Sequence, residues 1–239
     1  MSLNGKRVVV LGGSSGLGLA VAQAAAGEGA DIVMVSSHQA RLDAALKTLP
    51  KGGESHAVNL REEKQIRALF DHLGAFDHLV YTAGESLRLG TLAEVTIDQA
   101  RDFFDLRLWG AVTAVKYATP NIRAGGAITL TTGSGGYRPR SGWVVPAGVL
   151  GAMGAITRAL AVELAPLRVN AVCPGVVRTA LWDNMTEAAR QDFYQTIGAK
   201  LLVGRVGEAE DVAQTYLYLM KNNYSTGQNI IIDGGTVLV

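Results

Sequence analysis

The chain has 239 residues, 48% hydrophobic and 18% charged, with a formal net charge of +1. That is enough apolar material for one sizeable core, expected as a single domain over 1–239, with no charge excess to recommend nucleic acid or an anionic membrane as partner. The single cysteine, Cys173, excludes an internal disulfide and a cysteine metal cluster, and the four histidines show no ligand spacing, so no metal site is expected.

No apolar run reads as membrane-spanning and residues 1–6 carry no secretory h-region, so the expectation is a cytoplasmic protein acting on a small molecule. Short β-branched runs predict strands over 7–11, 31–36, 55–59, 78–82, 127–132, 168–173 and 229–232. Helical patterns fall between nearly all of them, over 17–28, 39–49, 62–73, 97–122, 147–164 and 208–221. Seven strands alternating with six helices predict an α/β fold, a parallel sheet covered on both faces, because parallel neighbours need crossovers.

The first strand breaks into Gly12, Gly16 and Gly18 before a helix rich in Ala and Leu. Glycines there permit a tight turn and let the backbone approach a pyrophosphate, which the helix N-terminus also attracts. After the second strand come Ser36, Ser37 and His38, with Arg41 one turn on. An NAD-selective site usually places an acid here; hydroxyls, imidazole and guanidinium suit a 2′-phosphate, so NADP(H) is expected over NAD(H).

The chain resembles the short-chain dehydrogenases/reductases. The resemblance is carried by Gly-Gly-Ser-Ser-Gly-Leu-Gly at 12–18, Thr-Ala-Gly at 82–84, Ala-Val-Glu-Leu-Ala-Pro at 161–166 and Arg-Val-Asn-Ala-Val-Cys-Pro-Gly-Val-Val-Arg-Thr at 168–179. It implies a Rossmann-type doubly wound seven-stranded sheet, with a dinucleotide cradled by Gly12, Ser14, Ser15, Gly16, Leu17 and Gly18. Asn59 and Leu60 would flank its adenine, with Asn59 where the family commonly has aspartate. Ala83 and Gly84 would pass under the ribose, and Pro174, Gly175, Val177 and Thr179 would hold the nicotinamide end.

The resemblance fails at the chemistry. The family's proton-handling Tyr and its Lys, four residues apart, are expected at Val145 and Val149, its Ser at Thr132 and its Asn at Arg107. Valine transfers no proton, and Arg107 stays protonated, so it is a clamp and a poor acid. Thr132 and Arg107 are left as catalytic candidates, with Tyr137, Arg140, Trp143 and Trp182 as candidate pocket residues and 178–200 as a covering loop.

Small residues along 147–164 ask for close approach of another helix or of the cofactor, and the family resemblance implies that this helix packs against its counterpart in a second subunit, so a homodimer or homotetramer is expected. Two readings of function remain. One is an NADP(H)-dependent oxidoreductase with a non-standard site, reducing an imine, iminium or other activated electrophile. The other is a catalytically inactive NADP(H)-binding sensor or partner.

Overall fold

The protein is described by a computed structural model over residues 2–87 and 89–239. In chain order the strands are β1 (Arg7–Leu11), β2 (Asp31–Ser36), β3 (Glu54–Ala57), β4 (Phe76–Tyr81), β5 (Ile122–Thr131), β6 (Arg168–Pro174), β7 (Val177–Arg178), β8 (Gly207–Glu208) and β9 (Asn229–Ile232). The helices are α1 (Gly16–Gly27), α2 (Gln39–Leu46), α3 (Glu63–Leu73), α4 (Ile97–Phe104), α5 (Gly110–Ala118), α6 (Val144–Glu163), α7 (Glu187–Gly198) and α8 (Ala209–Lys221). Seven strands form one sheet in the order β3-β2-β1-β4-β5-β6-β9, every pairing parallel, while β7 and β8 make a small parallel pair of their own.

Covering both faces of the sheet explains its apolar strands. In β1, Val9 and Leu11 pack with the core built from α3, α5 and α6, while Val8 and Val10 pack with α1, α2 and α8. The chain steps outward from β1 to β3 and returns to β4 on the other side of β1. The connections that leave β1 and β4 therefore run to opposite sides of this strand pair, and open α/β sheets bind ligands in the crevice at such a point.

Three expectations need correction. The predicted helix over 97–122 is broken: α4 runs into a π turn (Asp105–Trp109), then α5 and a 3₁₀ turn (Thr119–Asn121), and β5 begins at Ile122. The π turn widens the helical ladder where Tyr81 Oη donates to the Leu106 carbonyl at 2.5 Å. Gly110 is needed next because a Cβ there would lie 2.6 Å from both Tyr81 Oη and the Leu60 carbonyl.

The stretch 178–200 is not an open loop. It holds a 3₁₀ turn (Ala180–Trp182) and α7, whose Thr186 caps the Ala189 N–H, and it carries its own small core of Trp182, Tyr194, Ile197, Leu201 and Val206. Finally, α6 does reach membrane-spanning length and composition: 20 residues with mean hydropathy 1.5. It nonetheless lies on the sheet with Val149, Met153 and Thr157 buried, its apolar character coming largely from Gly, Ala and Val.

Candidate active site

A cleft of about 580 Å³ opens at the C-terminal ends of β1, β2, β4, β5 and β6, in the size range of small-molecule sites. The turn after β1 forms one end of it. Gly18 is required by packing, since a Cβ would run into the Gly12 carbonyl and lie 2.5 Å from Thr82 Oγ1. At Gly12, φ is +90° and a Cβ would lie 2.6 Å from the Ala83 nitrogen, so the β1 and β4 loops touch backbone to backbone.

Gly16 adopts φ +52° at the start of α1. Ser15, the N-cap of α1, makes no side-chain cap, and the first turn holds no acidic residue. The N–H groups there are thus left for an anion, which fits a dinucleotide pyrophosphate.

Ser37, His38 and Arg41 line the cleft beyond β2, where His38 is the N-cap of α2. Ser14 Oγ lies 2.8 Å from Ser36 Oγ, and Ser37 Oγ lies 2.8 Å from His38 Nδ1. Among the described residues no acid lines this corner of the cleft. Asn59 and Leu60 line it further on, with Asn59 Oδ1 accepting from the Arg61 N–H at 3.1 Å and retaining a second lone pair. Pro174, Gly175, Val177 and Thr179 line the far end.

Two glycines have a different explanation from the one the sequence suggests. A Cβ on Gly84 would lie 2.6 Å from Arg107 Nη1, so the glycine makes room for that guanidinium. At Gly175 a Cβ would meet the Asp233 backbone at 2.8 Å.

Arg107 lies on the π turn and lines the cleft. Its Nη2 donates to the Glu85 carbonyl, its Nε faces Glu85 Oε2 at 4.0 Å without a hydrogen bond, and its guanidinium stacks 4.7 Å from the Phe103 ring centre. Burial lowers the Arg107 pKa, while the neighbouring Glu85 and Tyr81 work in the opposite direction. Arg61 Nη2 reaches the other Glu85 oxygen at 3.4 Å, so this carboxylate sits between two guanidiniums. Glu85 and Arg61 were not singled out by sequence reasoning, because a side chain's place between two arginines from distant segments leaves no local signal.

The proton-handling candidates fare differently. Thr132 lines the cleft, but its hydroxyl is engaged as a donor to the Leu150 carbonyl at 2.7 Å. Tyr137 is 52% exposed and does not line the cleft. Val149 is fully buried in the core, and Val145 lines a neighbouring groove that also involves Leu87 and Val95. The face of α6 turned to the cleft carries Trp143, just before the helix, and Leu150. Leu150, one residue beyond the expected Val149, is the residue within α6 that lines the cleft, and it too carries neither phenol nor amine.

Arg140, Trp143 and Trp182 line the cleft as expected. Trp143 packs its ring against Gly135, where a Cβ would collide with it. Trp182 is also structural, donating Nε1–H to the Val177 carbonyl at 3.1 Å and stacking on Phe193 at 4.7 Å.

Residues 12–237 match the family model described as Enoyl-(Acyl carrier protein) reductase. The chain is 35% identical to the short-chain dehydrogenase/reductase ATR9 of Stachybotrys chlorohalonatus over 99% of each chain. Among solved structures it resembles a small-chain dehydrogenase in complex with NADPH, 34% identical with TM-score 0.87, covering 99% of this chain and 100% of that one. It also resembles the MalC reductase/Diels-Alderase of Malbranchea aurantiaca, 30% identical with TM-score 0.92, covering 99% and 98%. With matches spanning nearly its whole length in both sequence and fold, the chain belongs to the short-chain dehydrogenase/reductase family of oxidoreductases.

Proposed function

We propose that this protein is an NADP(H)-dependent oxidoreductase that reduces an imine, an iminium or a similarly activated electrophile without the family's Tyr and Lys. The observation that carries this reading is the cleft-facing side of α6, where Trp143 and Leu150 stand and no side chain can exchange a proton. When bound, the nicotinamide supplies hydride. The turn at Gly12–Gly18 and the open N-terminus of α1 would hold the pyrophosphate, and Ser37, His38 and Arg41 the 2′-phosphate.

Arg107 supplies fixed positive charge on the cleft wall, where it can stabilise negative charge developing on a substrate. An electrophile that is already cationic needs no acid. The same apolar face favours a second reading, an NADP(H)-binding protein without turnover. Tight NADPH binding with no consumption by any electrophile decides for it.

Calorimetric titration tests the cofactor assignment. NADPH is expected to bind more tightly than NADH, and Arg41→Ala to weaken NADPH by about tenfold, the scale of one charge-assisted hydrogen bond, with NADH unchanged. Equal affinities in the unaltered protein contradict the 2′-phosphate reading.

The outer face of α6 supports a homodimer or homotetramer. Gly148, Gly151, Ala155 and Val162 are exposed along it, and a Cβ on Gly151 would meet nothing within 4 Å. Trp109 at the end of the π turn is 57% exposed. Light scattering at micromolar concentration should find an oligomer that Gly151→Leu dissociates, because a leucine would hold apart helices packed at that point. A monomer overturns the assignment.

A further inference from the structure

The cleft carries two exposed guanidiniums on the loop after β5. Arg138 and Arg140 lie on the loop between β5 and α6, and both line the cleft while remaining exposed. Arg138 is held in place by Nη1, which donates to the Thr236 carbonyl at 2.9 Å, and by its backbone N–H, which donates to the Ser134 carbonyl at 2.9 Å. The Arg140 carbonyl accepts from the Trp143 N–H at 3.1 Å, which ties this arginine to the indole beside it.

The acids of the cleft are otherwise engaged. Glu85 lies between Arg61 and Arg107, and Asp183 accepts from Arg190. Among the described residues neither Arg138 nor Arg140 has an ion-pair partner. Trp143 beside Arg140 is apolar, and Leu150 and Trp182 add apolar surface to the same cleft.

We infer that Arg138 and Arg140 bind an anionic group, a carboxylate or a phosphate, on a substrate whose apolar or aromatic body rests on Trp143. This rests on the reading of the cleft as an oxidoreductase site and narrows its substrate class. Two guanidiniums in a cleft with apolar surface recognise such a molecule by charge-assisted hydrogen bonds at one end and by desolvation at the other. A substrate that joins an iminium to a carboxylate meets both demands of the site: it needs no acid at the reacting carbon, and its carboxylate has a seat.

The test uses matched probes on the full chain saturated with NADPH: phenylacetate against phenylacetamide, and phenyl phosphate against phenol, both measured by calorimetry. The anionic member of at least one pair should bind about tenfold or more tightly than its neutral partner, the scale of a hydrogen bond to a charged group. The pair that discriminates distinguishes carboxylate from phosphate. Arg138→Gln/Arg140→Gln should abolish the difference and leave NADPH affinity unchanged. Arg140→Gln alone, which removes no side-chain hydrogen bond of the fold, should reduce it.

Equal binding or no binding of both members of both pairs overturns the inference. A fall in NADPH affinity in the double variant overturns it as well, by assigning these arginines to the cofactor. Failure of the unaltered protein to bind any dinucleotide would count against the oxidoreductase reading instead, and the probe comparison on the free protein would still decide this one.

Discussion

Between pH 7 and pH 4 the protein is expected to lose about 3 kcal/mol of folding stability through His78 alone. His78 is 4% exposed on β4, between Val8 of β1 and Ala127 of β5, and its Nδ1 has no hydrogen-bond partner. Burial pushes its pKa down to about 4, with Arg168 and Lys6 adding to the effect and Asp77 opposing it.

Linkage sets the sign. Well above pH 6.5 the imidazole is neutral in folded and unfolded chains, and it contributes no pH dependence. Below that the unfolded chain takes up the proton first, so stability falls as the pH drops toward the folded pKa. The fold cannot relax to accept the charge cheaply. Arg168 beside it is held by the Leu219 and Met220 carbonyls at the end of α8, and Asp77 is already bonded to Lys6 at 2.9 Å and to Arg123 at 2.8 Å.

Urea unfolding at several pH values checks this. His78→Leu should flatten the slope between pH 6.5 and 4 at modest cost at pH 7, since no hydrogen bond is lost. An unchanged slope in the variant would place the acid sensitivity elsewhere.

The sheet was legible because its signal is local. Runs such as Val8–Leu11 leave only one way to bury both faces, and three of the seven expected strands, β1, β2 and β9, have the bounds the sequence suggests. The cleft was legible for a related reason: in a doubly wound sheet the residues just after a strand face the ligand, so Ser37, His38, Arg41 and Asn59 could be located by counting.

The features that escaped depend on contacts between distant segments. The π turn at Asp105–Trp109 is held by Tyr81, twenty-five positions from its carbonyl partner at Leu106. The glycine at 84 answers to Arg107, and Glu85 to Arg61 and Arg107, none of which spacing reveals. α7 had a readable start in Thr186 and a first turn of Glu and Ala, but its short core with Trp182 and Leu201 shows only in three dimensions. Which residue of α6 reaches the cleft has the same origin, because a helix's cleft-facing side is fixed by where its neighbours lie. Val149 lies under the core and Leu150 at the cleft.

The second large effect concerns the reaction itself. A matched general acid commonly contributes a factor of about 10² to 10⁴, so on the proposed reading the cleft should penalise ketone reduction by that order and spare a cationic electrophile. The thiol of Cys173 offers no substitute: it is buried and its pKa is pushed up to about 12. Tyr81 and Tyr216 are fully enclosed, and burial raises both their pKa values. Arg107→Ala should slow reduction of a neutral electrophile, because it removes the positive charge that would stabilise the developing anion, and should not slow a cationic one.

The most direct measurement is NADPH consumption by the unaltered protein with a cyclic imine and the matched cyclic ketone, at equal concentrations and neutral pH. The account predicts consumption faster by about 10² or more with the imine, which reacts as its protonated iminium, and Arg107→Ala slowing only the residual ketone reduction. Efficient ketone reduction, indifferent to Arg107→Ala, would contradict it.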